Sequence, residues 1–239
     1  MPTIIFTAGA KGGTGKSTAM CFLVNFLREH QLNPLLIDMD KSSGTLQRYF
    51  PEAETVDIKK ASSHDVLIEK VNAGEKLIVA DLKAGIEKDT LAWWLDVPFE
   101  DFPDAKFICV GAITHSPDSV QSFLEWAAAL KNQVSYVVCK NQKDGEAFPD
   151  YEVSGEALNF QESYNPIEVL IPRLDEEYMT ELERLNLTVA EALAANGNET
   201  INGKKVGDVL CRVMVRARLR RFQRGIYEQF EPVLKLLNV

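Results

Sequence analysis

Residues 9–18 read Gly9-Ala10-Lys11-Gly12-Gly13-Thr14-Gly15-Lys16-Ser17-Thr18, and the run matches G-x-x-x-x-G-K-[ST] in full. Its glycines let the backbone curl so that N–H groups converge on phosphate oxygens. A helix opening at its end adds the positive end of its dipole. In such a loop Lys16 reaches the β and γ phosphates of a nucleotide, and the Ser17 hydroxyl is offered to Mg²⁺. Gly12, Gly13, Thr14, Gly15 and Thr18 complete the cradle. The bare spacing also arises by chance, as a glycine-rich turn that holds nothing. Its weight in this chain comes from its flanks.

Those flanks are a strand and a helix. Residues 3–8 (TIIFTA) are apolar and β-branched and read as a buried strand. Residues 17–30 carry Met20, Leu23, Val24 and Leu27 at helical spacing. Short apolar runs recur at 34–38 (PLLID), 77–81 (LIVAD), 106–112 and 134–139, with helix-like segments near 88–96, 117–131 and 155–163. Buried strands alternating with helices predict an α/β fold: a mostly parallel central sheet with helices on both faces. Ligands bind such sheets beyond the C-terminal strand ends. Loop 9–18, Asp38 and Asp81 all fall there. Residues 140–155 are turn-rich and read as a surface loop near that edge. From about residue 174 onward, segments 175–185, 188–197 and 204–237 all read as helix, with Gly197 as a C-cap.

Two carboxylates follow the second run, in Leu36-Ile37-Asp38-Met39-Asp40. On extended backbone residues i and i+2 point the same way, so both can face a γ-phosphate. Solvated loop aspartates are the bland alternative. Asp81 closes LIVAD and is either a site residue or a strand-end cap.

The second lysine, in Lys11-Gly12-Gly13-Thr14-Gly15-Lys16-Ser17-Thr18, resembles the deviant phosphate loop of the ParA/MinD family of P-loop ATPases. The resemblance covers roughly residues 2–195, and its most specific motifs lie in the first 85. It implies an ATP-dependent homodimer in which Lys11 reaches the partner's nucleotide. It implies catalytic roles for Lys11, Lys16 and Asp40, with Asp40 orienting the attacking water. Asp38 would support that water or the metal shell, and Asp81 would hold a Mg²⁺-bound water beside Ser17. ATP and Mg²⁺ are then the expected ligands. Asn141, ending another strand, would hydrogen-bond adenine, and Pro172 and Arg173 would pack beside the base. Lys83-Ala84 before Gly85 departs from the family pattern after Asp81.

The chain has 239 residues and a formal net charge of −9, which suits one α/β domain over residues 1–239 and no steering to nucleic acid by overall field. Cys21, Cys109, Cys139 and Cys211 are far apart, and three of them read as core, in keeping with a reducing, cytoplasmic setting. No apolar stretch approaches the roughly 20 residues of a membrane span, so no stable membrane insertion is expected. Residues 203–238 nonetheless form a helical segment with a basic face. Arg212, Arg216, Arg220 and Arg224 follow i, i+4 spacing as one stripe, and Val206, Leu210, Val213 and Ala217 form an apolar stripe for docking.

Such arginines can neutralise duplex phosphates without reading bases. ParA-like relatives bind DNA nonspecifically when ATP dimerises them and answer to a stimulating partner protein. The expected role is therefore DNA (plasmid) partition or maintenance. Three alternatives stand beside it: a solvated helix face, a MinD-like positioning ATPase acting on membrane or protein partners, and a small-molecule ATP-dependent ligase. Lys11 argues against the ligase, and Pro232 reads as breaking any membrane helix at the tail.

Overall fold

The computed structural model describes residues 1–9, 11–41, 44–83, 87–196, 199–201 and 203–238. Ala84, Gly85 and the Gly197 C-cap lie outside them. In chain order come β1 (Thr3–Ala8), α1 (Lys16–Glu29), β2 (Leu35–Asp38), α2 (Thr45–Tyr49), β3 (Glu54–Thr55), α3 (Val66–Asn72), β4 (Leu77–Asp81) and α4 (Glu87–Asp96). There follow β5 (Lys106–Ile113), α5 (Pro117–Leu130), β6 (Ser135–Asn141), α6 (Pro149–Val153), α7 (Gly155–Tyr164) and β7 (Ile167–Ile171). The last part holds α8 (Glu176–Leu185), α9 (Val189–Ala194), β8 (Thr200–Ile201), β9 (Lys204–Lys205), α10 (Asp208–Cys211) and α11 (Val213–Leu237).

Strands β1 to β7 form one sheet in the order β3-β2-β4-β1-β5-β6-β7, and every pairing is parallel. All six residues of β1 are buried. Their alternation splits the core in two. Ile4, Phe6 and Ala8 face a layer that holds Trp94 of α4, Phe123 and Trp126 of α5, and Phe160 of α7. Ile5 faces the other layer, with Leu23 and Phe26 of α1, Leu182 of α8, and Leu219 and Phe230 of α11. Period-2 strands with apolar residues on both faces need helices on both sides. Phe6 stacks on Trp94 with centroids 3.9 Å apart. Each fully buried large side chain contributes about 1.5–3 kcal/mol of transfer free energy.

Short elements escaped the sequence reading. β3, α2 and α3 lie in 45–72, α6 lies inside the expected surface loop, and residues 204–205 are strand rather than helix. β8 and β9 form a small antiparallel ribbon. Among the described residues no helix is long and apolar enough to cross a membrane.

The C-terminal helix corrects two expectations. Arg212 is extended (ψ 133°), so α10 and α11 are separate helices with separate phases. The docking stripe of α11 is Val215, Leu219, Ile226, Tyr227, Phe230 and Val233, all buried. Val213 is 82% exposed, and Ala217 also faces out, although Val206 and Leu210 are buried as expected. Pro232 does not break the helix, which runs on to Leu237. A proline removes one backbone hydrogen bond. Here Phe230 and Val233 on either side are fully buried and pin the turn.

The two stripes separate by stability. Leu219→Ala should cost on the order of 2–5 kcal/mol by leaving a cavity. Val213→Ala, at a free surface, should change stability by less than about 0.5 kcal/mol. Urea denaturation of both variants checks this, and equal costs would refute Leu219 as part of the docking face.

Candidate active site

β1 ends beside β4, and β2 pairs with β4 so that Asp38 and Asp81 are register partners. The parallel register thus brings both carboxylates level with the loop that follows β1. That loop needs glycine where φ is positive: Gly13 has φ +74° and Gly15 +96°, conformations a side chain resists. The loop closes on itself. Lys16, 8% exposed, donates from Nζ to the Lys11 carbonyl at 2.8 Å. The ammonium therefore lies within the curl, where phosphate oxygens would sit.

Lys11 points elsewhere. Its Nζ donates to Asp118 Oδ2 at 2.9 Å, on the first turn of α5. Its backbone N–H donates to Ser122 Oγ at 3.3 Å. Nothing in the sequence pattern around 117–122 signalled either partner.

The Asp81 carboxylate is buried and receives hydrogen bonds from the Ser17 side chain and from Thr7 Oγ1, the latter at 3.2 Å. Thr7 Oγ1 also accepts from the Leu82 backbone N–H at 2.8 Å. Thr7 was missed in sequence because a threonine in a strand reads as β-propensity. Burial pushes the Asp81 carboxyl up to about 6; the Ser17 and Thr7 hydrogen bonds oppose this and nearby Asp38 adds to it. A serine hydroxyl touching a carboxylate that burial makes costly to ionise is a hard-oxygen donor pair. It fits Mg²⁺, which takes few protein ligands and keeps water and phosphate for the rest.

Asp38 does different work. It is fully buried, and its oxygens accept from the backbone N–H groups of Asp40 (3.0 Å) and Gln47 (2.9 Å). Both oxygens brace the loop that carries Asp40.

A cleft of about 640 Å³ joins these groups. Gly12, Gly13, Thr14, Gly15, Lys16, Ser17, Thr18, Asp40 and Asp81 line its phosphate end, Pro172 and Arg173 line its far end, and Asn141 lies against the loop. Sequence reading had not supplied the apolar wall there, formed by Phe22, Leu174, Met179, Val189 and Phe222. These residues are scattered over five segments, so no local spacing reveals them. Asn141 lines the cleft, yet its amide is bonded to the phosphate loop (Nδ2 to the Thr14 carbonyl, 3.0 Å).

The basic stripe is split. Arg216 donates to the carbonyls of Ala192 (3.2 Å), Leu193 and Ala195 (3.0 Å). It thereby satisfies the C-terminal end of α9. Arg212 pairs with Glu177 at 3.4 Å and Arg224 with Glu228 at 3.4 Å. Arg220, Arg221 and Arg224 are exposed. The expected four-arginine stripe therefore loses Arg216 to the body of the protein and gains Arg221.

The raised Asp81 carboxyl has a signed consequence. In the ligand-free fold Asp81 keeps a proton that the unfolded chain releases at its ordinary value. Its contribution to stability is present below that value and is lost as pH rises through about 6. At pH 8 the ionised, buried carboxylate costs on the order of 3 kcal/mol. Asp81→Asn should therefore stabilise the metal-free, nucleotide-free chain at pH 8, and the gain should vanish near pH 4. Urea titrations at both pH values check this; a variant no more stable than the parent at pH 8 refutes the electrostatic account.

The chain matches the CobQ/CobB/MinD/ParA nucleotide-binding domain family over residues 5–237. No curated protein sequence matches it significantly. Among solved structures it resembles the Pyrococcus horikoshii OT3 septum site-determining protein MinD with Mg-ADP, at 15% identity and TM-score 0.59, covering 99% of this chain and 97% of that one. It also resembles a chain of the MinC:MinD cell division protein complex of Aquifex aeolicus, at 15% identity and TM-score 0.57 over 98% and 96%. A plasmid partition protein of Borrelia burgdorferi B31 bound to AMPPNP aligns at 15% identity and TM-score 0.52 over 96% and 98%. At such identities the likeness speaks for the fold. With the family match spanning nearly its whole length, the chain belongs to the CobQ/CobB/MinD/ParA nucleotide-binding family.

Proposed function

We propose that the chain is an ATP-dependent dimerisation switch with weak, Mg²⁺-dependent ATPase activity. We further propose that it acts in DNA (plasmid) partition or maintenance through nonspecific DNA contact and a stimulating partner protein. One observation carries the switch. The loop has two lysines, and they face different ways: Lys16 folds into its own cradle, while Lys11 turns out to Asp118, with its side chain 47% exposed. A lysine held outside its own phosphate site is placed to serve another subunit's. An exposed ion pair of this kind is worth about 0–1 kcal/mol, so releasing Lys11 costs little.

The geometry supports the remaining roles. Lys16 binds the β and γ phosphates, Ser17 and Asp81 hold the metal, and Asp40, fixed through Asp38, orients the attacking water. Mg²⁺ would supply charge neutralisation at the phosphates. Pro172, Arg173 and the apolar wall receive the base. The AMPPNP and Mg-ADP bound by two similar structures support this choice of ligand.

For the track, Arg220, Arg221 and Arg224, with Arg212 nearby in sequence, offer an exposed cationic surface on an otherwise acidic chain. A MinD-like second reading is favoured by Val213 and Met214, which are 82% and 64% exposed beside Arg212 and would suit an apolar or lipid partner.

Two measurements test the reading. In sedimentation, ATP should dimerise Asp40→Ala stably while hydrolysis stops. Lys11→Ala should bind ATP but remain monomeric, and Lys16→Ala should not bind. A Lys11→Ala dimer as stable as the parent's would sink the switch. DNA co-sedimentation without nucleotide, with ADP and with AMPPNP, at two salt concentrations, should give binding with AMPPNP alone, weakened by salt. Binding in no state would remove DNA as the track and leave the MinD-like reading.

A further inference from the structure

Asn141 ends β6 and is 6% exposed. Its amide makes one hydrogen bond at each end, which leaves a second N–H and a second lone pair. Nδ2 donates to the Thr14 carbonyl at 3.0 Å, and Oδ1 accepts from the Lys143 backbone N–H at 3.2 Å. The contact with the loop is close: a Cβ added to Gly15 would lie 2.2 Å from Asn141 Nδ2. Gly15 is thus excluded from carrying a side chain twice, by its φ of +96° and by this amide.

We propose that Asn141 is a positioning residue for the phosphate loop. A trans peptide is planar, and its C=O and N–H point in opposite directions. Anchoring the Thr14 carbonyl on Asn141 therefore turns the Gly15 N–H away from Asn141 and keeps it a donor for phosphate. The reversed peptide would present a carbonyl oxygen to an anion instead. Glycine tolerates either orientation, so the loop's own sequence does not choose between them. The buried Asn141 amide makes the choice.

The same residue links the two ends of the cleft. Through Lys143 N–H it holds the turn after β6, and in that turn the Gln142 N–H donates to the Ile171 carbonyl at 2.9 Å. Ile171 precedes Pro172 and Arg173, which line the far end of the cleft. Hydrogen bonds from the backbone stretch 141–143 thus reach both Thr14 of the phosphate loop and Ile171, next to Pro172.

The inference rests on the reading of this cleft as a nucleoside triphosphate site, and its test separates the two. Competition against a fluorescent ATP analogue, with Mg²⁺ present, gives affinities for ATP, GTP and inorganic tripolyphosphate in the parent, Asn141→Asp and Asn141→Ala. Aspartate keeps the shape but offers the Thr14 carbonyl only acceptors, so it should be the worse variant. Asn141→Asp should lose at least tenfold for ATP and tripolyphosphate alike. Asn141→Ala should show the same parallel loss to a smaller extent, and it serves alone if the aspartate variant does not fold by thermal melt. Unchanged tripolyphosphate binding in both variants overturns the inference. Failure of the parent to bind any of the three overturns the nucleotide reading and this inference with it.

Discussion

The site depends on the parallel register that holds the ends of β1, β2 and β4 level. Asp38 and Asp81 are direct partners across β2 and β4, and Thr7 near the end of β1 reaches Asp81. A slip of one residue would turn every side chain of a strand to the other face. In β4 that would bury Asp81 among the aromatic neighbours of Ile78 and Ala80 and break the Ser17 contact. Register is secured by burial: Ile4 and Phe6 must face Trp94 while Ile5 faces α1. The same alternation that builds two core layers thus delivers two carboxylates and a hydroxyl to one edge.

At that edge, backbone hydrogen bonds do more than side-chain charges. Asp38 spends both oxygens on the N–H groups of Asp40 and Gln47, and Asn141 spends its amide on Thr14 and Lys143. Buried polar groups need partners. Here the partners are the two loops that must be shaped before a nucleotide arrives. Preorganised donors spare the reorganisation that a flexible glycine-rich loop would otherwise undergo on binding.

What could be read in the sequence follows the range of the interaction. The phosphate loop, the central strands and the carboxylates at strand ends were legible because short runs encode them. The partners of Lys11, the second contact of Thr7 and the apolar wall around Phe222 were not, because each joins residues far apart in the chain. The docking face of α11 failed for a sharper reason. Helical phase can be carried from Val206 to Ala217 only if one helix spans them, and the extended Arg212 resets it. Leu210 was read correctly because it lies before the break; Val213 and Ala217 lie after it. The arginine stripe inherited the same error. Arg216 falls beside the buried Val215, and its guanidinium caps α9 instead of meeting solvent.

The corrected phase makes α11 more informative. Phe222 lines the cleft and packs edge-on to Phe22 of α1, with centroids 5.7 Å apart. Arg220, Arg221 and Arg224 lie within one turn of it and are exposed. One helix therefore presents an aromatic ring to the base end of the cleft and three cations to solvent. Arg218 adds a tie to α8 through the Tyr178 hydroxyl at 2.7 Å, and α8 contributes Met179 to the same wall. A packed interior transmits displacement because it has little free volume. In the proposed complex, a base against Phe222 and Met179 would bear on α11, which carries these arginines, and on α8, which Arg218 ties to it. Linkage between nucleotide and surface then requires only that α11 have two seatings that differ in their contact with the base.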